Sequence, residues 1–201
     1  DAARSVFVAD MDNDGDMDIV SASRADDTIA WYENNGAADP SFTAADIATS
    51  ADAARSVFVA DIDNDGDLDI VSASADDDAI AWYENGLAAF GSHSFTAADI
   101  ATSADGAIAV FVADLDNDGD KDIVSAGFND DAIAWYENDG AADPSWTAAD
   151  IATSGNKPQN SVFAADMDND GDMDIVSCSY DDFSIAWYEN DGAADPSWTA
   201  A

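Results

Sequence analysis

Asp10-Met11-Asp12-Asn13-Asp14-Gly15-Asp16-Met17-Asp18 is the stretch whose reading decides the fold. Its pattern, Asp-x-Asp-Asn-Asp-Gly-Asp-x-Asp, returns at 61–69, 114–122 and 166–174. Five aspartates in nine residues repel one another: two carboxylates ~5 Å apart cost on the order of 3 kcal/mol at an effective dielectric of about 20. A cation is therefore expected in each copy. Aspartates at loop positions 1, 3, 5 and 9, with a main-chain carbonyl at position 7, offer the hard oxygen shell that Ca²⁺ prefers, and glycine at position 6 permits the tight turn. Mg²⁺ keeps several waters and suits such a crowded cage poorly. Zinc and copper fit less well still, since the chain has one histidine, His93, and one cysteine, Cys178.

The flanks separate this loop from an EF-hand. That motif needs a helix on each side and a bidentate glutamate at position 12, whereas position 12 here is Ser21, Ser72, Ser125 or Ser177. Val6-Phe7-Val8-Ala9 precedes the first loop and Ile19-Val20-Ser21-Ala22 follows it. Both are short, β-branched or small, and lack helical periodicity, so the loop is expected to join two strands.

The loops begin at Asp10, Asp61, Asp114 and Asp166, and Trp-Tyr-Glu-Asn tetrads at Trp31, Trp82, Trp135 and Trp187 keep step with them. This is a repeat protein with a period of about 50 residues. Each unit reads as four strands: one before the loop, Asp-Ile-Val-Ser after it, Ile-Ala-Trp-Tyr-Glu-Asn, and Phe/Trp-Thr-Ala-Ala-Asp-Ile-Ala. The expected fold is all-β, a β-propeller-type array of four blades with four antiparallel strands each. It forms a single repeat domain over 1–201, with repeats at about 1–51, 52–104, 105–156 and 157–201. A closed four-bladed ring, two chains making eight blades, and an open or continuing array all satisfy this pattern. Ile29 and Trp31 alternate with Ala30 and Tyr32, so the two faces of the third strand differ and the tryptophans are expected between blades. The chain begins at Asp1 inside a repeat, which reads as a processed product or a segment. The last unit stops at Ala201, the equivalent of Ala45, and end-to-end assembly is the expectation that follows.

Composition narrows the function. Acidic side chains number 44 against 5 basic ones, a formal net charge of −39. That argues against nucleic acid, whose phosphates are bound by Lys and Arg, and against an anionic membrane surface. No apolar run of 18 residues exists, so membrane insertion is not expected. Hydrophobic residues at 47% are enough for packed cores, although many are alanine. One cysteine provides no disulfide framework. Metal can do that stapling where calcium is plentiful, so the expected location is extracellular or at the cell surface.

The four Asp loops between strands, each followed by Asp-Ile-Val-Ser and the Trp-Tyr-Glu-Asn strand, resemble the FG-GAP/VCBS-type calcium-binding repeats of integrin-α-like β-propellers. The resemblance covers essentially the whole chain. It implies calcium held in loops inside the blades of secreted and surface proteins used for adhesion, carbohydrate binding or scaffolding. Carried over position by position, it implies as ligands Asp10, Asp12, Asp14, Asp16 through its carbonyl, and Asp18. In the second loop these are Asp61, Asp63, Asp65, Asp67 and Asp69; in the third, Asp114, Asp116, Asp118, Asp120 and Asp122. The fourth set is Asp166, Asp168, Asp170, Asp172 and Asp174, giving about one Ca²⁺ per repeat and four in total. The Phe-Gly and Gly-Ala-Pro strings that name the family do not recur in the repeats, the one Phe-Gly being Phe90-Gly91, and many such propellers close with more blades.

Catalytic constellations are weak. A nucleophile–histidine pair would have to use His93 or Cys178, each present in one unit only. His93 reads as a solvated residue in a lengthened turn over Gly86 to Ser94, and Cys178, standing where other units have Ala22, Ala73 and Ala126, reads as a small buried side chain. Asp26, Asp77, Asp130 and Asp182 recur in the turn before the tryptophan strand and read as turn caps. The turn position Arg24, Ala75, Phe128 and Tyr180 varies between units and offers a contact surface. Lys121 replaces Met or Leu at loop position 8. The expected function is thus an extracellular, calcium-stabilised structural or adhesive module without catalysis, forming part of a larger surface assembly or filament. A calcium-dependent, lectin-like propeller is the alternative. Expected partners are further copies of itself, other surface proteins or glycans.

Overall fold

The computed structural model describes residues 2–88, 92–153, 159–180 and 183–200. Short runs of Val, Ile, Phe and Trp separated by Asp/Gly turns favour strands over helices, and the described residues form sixteen of them. The first sheet holds β1 (Ala3–Ala9), β2 (Asp18–Ser23), β3 (Thr28–Asn34) and β4 (Phe42–Ala48). The second holds β5 (Ala54–Ala60), β6 (Asp69–Ser74), β7 (Ala79–Ala88) and β8 (Ser92–Ala101). The third holds β9 (Ala107–Ala113), β10 (Asp122–Gly127), β11 (Ile133–Asn138) and β12 (Trp146–Ala152). The fourth holds β13 (Gln159–Ala165), β14 (Asp174–Ser179), β15 (Ser184–Asn190) and β16 (Trp198–Ala200). Every sheet is an antiparallel meander in chain order. Each Asp loop joins the first two strands of its sheet, as the sequence predicts.

The sheets stack face to face in sequence, the first strand of each packing on the first strand of the next. The period-2 alternation explains how one strand serves two neighbours. Val20, Ala22, Ile29 and Trp31 leave the first sheet on one face and meet Val57, Val59, Ile70 and Tyr83 from the second. The same two sets recur at the other joints. Trp31, Trp82 and Trp135 are 8%, 3% and 3% exposed, so the tryptophans lie between sheets as expected. One phenylalanine from each first strand adds a column through the stack: Phe7, Phe58, Phe111 and Phe163 have successive ring centroids 4.9, 4.9 and 4.5 Å apart.

The array is open. No comparable packing joins β1 to β13 among the described residues, and Val6 and Val8 of β1 and Phe163 of β13 are largely exposed.

Candidate metal centres

Each loop is wound by its own side chains. Position 4 is left-handed, with φ of 58°, 60°, 61° and 66° at Asn13, Asn64, Asn117 and Asn169. Asparagine tolerates that region better than most residues. Position 6 reaches φ of 95° to 102° at Gly15, Gly66, Gly119 and Gly171, where a side chain would strain the backbone. The position-1 carboxylate accepts from the glycine N–H at 2.9–3.2 Å in every loop. Position 3 accepts from the N–H of position 5, and position 5 from that of position 7.

This winding turns carboxylates towards one another. Ligand atoms lie within 4.8 Å of each other for Asp10, Asp12 and Asp14, for Asp114, Asp116 and Asp118, and for Asp166, Asp168 and Asp170. In the second loop the converging set is Asp61, Asp63 and Asp69. Burial, aided by neighbouring carboxylates, pushes the carboxyls of Asp12, Asp63 and Asp116 above their ordinary range, against main-chain N–H groups that pull them down. Asp61 Oδ1 and Asp114 Oδ1 are buried without a hydrogen-bond partner. Converging hard oxygens with orphaned lone pairs fit a metal ion, which would satisfy them and relieve the repulsion.

Positions 9 and 7 have further partners, and Asp69 belongs both to the converging set of its loop and to the bonds that follow. Position 9 is sealed: Asp18, Asp69, Asp122 and Asp174 are at most 1% exposed. Each carboxylate accepts one N–H from loop position 2 and one from the end of the tryptophan strand. For Asp69 these are Ile62 at 3.1 Å and Asn85 at 2.7 Å; for Asp122, Leu115 and Asn138, both at 2.9 Å. Asp18 and Asp174 make the same pair of bonds. Burial pushes the carboxyls of Asp69 and Asp122 up to about 7, partly opposed by these N–H groups. The Trp82 and Trp135 indoles also favour the ionised forms, from outside good hydrogen-bond geometry.

Position 7 faces the neighbouring sheet. Asn13 Nδ2 donates to Asp67 Oδ1 at 3.0 Å, Asn64 to Asp120 at 3.0 Å and Asn117 to Asp172 at 2.7 Å. The asparagines closing the second, third and fourth Trp-Tyr-Glu-Asn tetrads cross the same joints. Asn85 Nδ2 donates to Met11 O, Asn138 to Ile62 O and Asn190 to Leu115 O, at 2.8–3.0 Å. The loops therefore build the joints as well as the cages. Sequence reading missed both asparagine sets, although their recurrence in every repeat marks them. Position 7 also packs under the next turn: a Cβ on Gly36, Gly140 or Gly192 would run into Asp16, Asp120 or Asp172.

The other residues singled out from the sequence complete the picture. His93 departs from its expected solvated turn, because β7 and β8 extend as a hairpin beyond their counterparts and carry it back over the first joint. There its Nδ1 lies 3.0 Å from Asn85 Oδ1 and its ring packs edge-on to Trp31 at 5.6 Å. Cys178 is half-buried, unlike Ala22, Ala73 and Ala126, which are fully buried, because among the described residues no further sheet packs on its face. Lys121 is half-buried and its carbonyl accepts from Asn138 Nδ2. Asp130 caps its turn by accepting from the Ala132 N–H, Asp77 instead accepts from the Asp52 N–H of the preceding connection, and Asp26 holds Thr28 Oγ1 through its carbonyl; Asp182 lies outside the described residues.

Comparison with solved structures finds likenesses that include two rhamnogalacturonan lyases. The exotype lyase YesX superposes with a TM-score of 0.54 at 14% identity, over 89% of this chain and 39% of that one. YesW gives 0.54 at 13% identity, over 98% and 42%. The chain thus spans about two fifths of either lyase, and the likeness is one of fold: a β-propeller-like array. A search of curated proteins finds no match. A family model described as FG-GAP-like repeat matches residues 10–72, 61–125 and 114–177, each match running from one Asp loop through the next. Together with the repeating loops and sheets, these matches make the chain a member of the FG-GAP-like repeat family.

Proposed function

We propose that this repeat module is extracellular, is stabilised by about one Ca²⁺ per loop, and serves a structural or adhesive role without catalysis. The observation that carries the reading is that one loop does two jobs: the carboxylates at positions 1, 3 and 5 converge in three loops and those at positions 1, 3 and 9 in the second, while positions 2, 4 and 7 make the bonds that set one sheet on the next. Ion occupancy then fixes the angle between sheets. Asp10, Asp12 and Asp14, their equivalents in the third and fourth loops, and Asp61, Asp63 and Asp69 in the second would hold the ion. Calcium supplies the countercharge that lets the loop close. The acidic surface favours cations and disfavours polyanions as partners. Further copies of the chain, other surface proteins and glycans are the partners this role implies.

Calorimetric titration of the chelator-stripped protein with Ca²⁺ tests the reading. Four sites are expected, with Tm rising as they fill; at free calcium 100-fold above Kd each site adds about 2.7 kcal/mol. No binding, or binding without a change in Tm, would overturn it.

A second reading is calcium-dependent carbohydrate binding. Phe128 and Tyr180, at the variable turn, are 45% and 66% exposed and could stack on sugar faces. The polysaccharide lyases of similar fold lend it weight. A glycan array in calcium buffer separates the two, since a purely structural module gives a blank.

A further inference from the structure

Between the second and third sheets, at the end away from the Asp loops, lies a cavity of about 180 Å³ walled by Arg55, Ala75, Asp76, Ile108, Phe128 and Asn129. Both sheets have a neighbour on either face, so this wall belongs to the interior of the array. Two positions of the repeat that vary between units build it. At the β-bulge in the first strand of each sheet stand Arg4, Arg55, Ile108 and Asn160. In the turn after the second strand stand Arg24, Ala75, Phe128 and Tyr180. At this joint a guanidinium from one sheet, Arg55, shares a cavity with an aromatic ring from the next, Phe128. The pattern gives the first joint Arg4 with Ala75 and the third Ile108 with Tyr180. Ala75, the smallest of the four turn residues, leaves the space open.

Hydrogen bonds hold the wall in place. Phe128 N donates to Gly106 O at 3.0 Å and Asn129 N to Asp105 O at 3.2 Å, while Asn129 Nδ2 reaches Asp105 Oδ1 at 2.9 Å. On the other side Asp76 N donates to Asp52 O at 3.2 Å. The charge at this spot runs against the rest of the molecule. Arg55 is half-buried, and its Nε is sealed without a hydrogen-bond partner. Burial, and then the positive charges of Arg24 and Arg4 on the first sheet, pull its guanidinium below the ordinary range, opposed by Asp76. Three of the five basic side chains therefore gather here, in a protein of net charge −39. A desolvated guanidinium among like charges calls for an anion, as the aspartate cages call for a cation.

The surroundings say which anion. An arginine fork pairs with a carboxylate or a phosphate through two parallel hydrogen bonds. The net charge of −39 disfavours a doubly charged phosphate and any polyanion, which leaves a single carboxylate. Phe128, 45% exposed, offers a ring face, and the Asp76 carboxylate and Asn129 amide suit hydroxyl groups. The volume is below the ~300 Å³ at which sites for drug-sized ligands begin, so it fits one ring. We propose that this cavity binds one sugar ring bearing a single carboxylate, with the carboxylate on Arg55 and the ring face on Phe128. This rests on the carbohydrate reading above and gives it a site and a ligand class.

Calorimetric titration of the calcium-loaded 201-residue chain with D-glucuronate, D-glucose and acetate provides the test. Glucuronate is expected to bind once per chain, roughly tenfold or more tightly than glucose, which lacks the carboxylate, or acetate, which lacks the ring. Arg55→Gln should lower its affinity by roughly tenfold or more, and Phe128→Ala by about fivefold. Phe128 is exposed, so its truncation retains the fold. Ala75→Tyr places in the second unit the residue that the fourth carries at that position, fills the space and should block binding. Tm in calcium verifies that each variant is folded. A wild-type chain that ignores glucuronate, equal affinity for glucose or acetate, or affinity unchanged in folded Arg55→Gln and Ala75→Tyr overturns the proposal. A glycan array of wild type and Arg55→Gln keeps the readings apart. Neutral glycans bound alike by both remove the carboxylate site alone, while a blank array with no glucuronate binding removes the carbohydrate reading with it.

Discussion

Two aspartates six residues apart in one loop, Asp116 and Asp122, do different work. Asp116, at position 3, accepts a hydrogen bond from the local N–H of Asp118 and joins a converging carboxylate set at a half-exposed rim. Asp122, at position 9, is 0% exposed and spends both oxygens on main-chain N–H groups that tie the loop to the tryptophan strand. The comparison teaches that the repeat has two layers of stabilisation. One waits for an ion, and the other is a buried strut that the chain makes for itself.

The widest separation comes from truncating the strut. Asp122→Ala leaves the Leu115 and Asn138 N–H groups buried without acceptors. At about 1–3 kcal/mol for each orphaned donor, the loss is roughly 2–6 kcal/mol. Urea unfolding should show it with calcium and with chelator alike; a loss confined to calcium buffer would merge the two layers into one.

Asp63→Ala sharpens the other side. The variant should bind one Ca²⁺ fewer and lose about 2.7 kcal/mol at free calcium 100-fold above Kd. In chelator it should melt no lower than wild type, because it removes a like charge from the cage. An equal loss in both buffers would make position 3 a strut as well.

The pH response follows from burial of the struts. Asp69 and Asp122 titrate near 3.8 when unfolded and at about 7 when folded. The folded protein therefore holds more protons across that window. In chelator their contribution is fully present below pH 4 and is lost as pH rises through 7. Bound calcium favours the carboxylates and should flatten or reverse that slope. Tm measured from pH 4 to 8, with and without calcium, reads the difference directly. A chelated protein that gains stability with pH would contradict the strut assignment.

The smallest effect belongs to the joint. Asn64→Gly keeps a backbone able to adopt φ 60° and deletes the amide that reaches Asp120. A loss of about 1 kcal/mol is expected, the net worth of one hydrogen bond, with calcium stoichiometry unchanged. Loss of a calcium site would mean that position 4 shapes the cage.

The local layer was legible because it rests on neighbours in sequence. Asp, Asn and Gly at fixed loop offsets, and β-branched runs on either side, predict the turn and its two strands, and each Asp loop joins strands as read. The joint bonds were not legible, since Asn85 and Met11 O are 74 residues apart. No local pattern says which distant carbonyl an amide will meet. His93 shows the same limit: its partners Asn85 and Trp31 come together only because β7 and β8 extend over the first joint.

By itself the sequence determined the repeat, the strand pattern, the acidic cages and the family, since each follows from spacing along the chain. Tertiary structure alone decided which aspartates converge, which are sealed as struts, and which faces are covered. Burial and the pairing of remote polar groups exist only once one sheet has packed on another, and the same isoleucine is 0% exposed in three sheets and 80% exposed in the fourth.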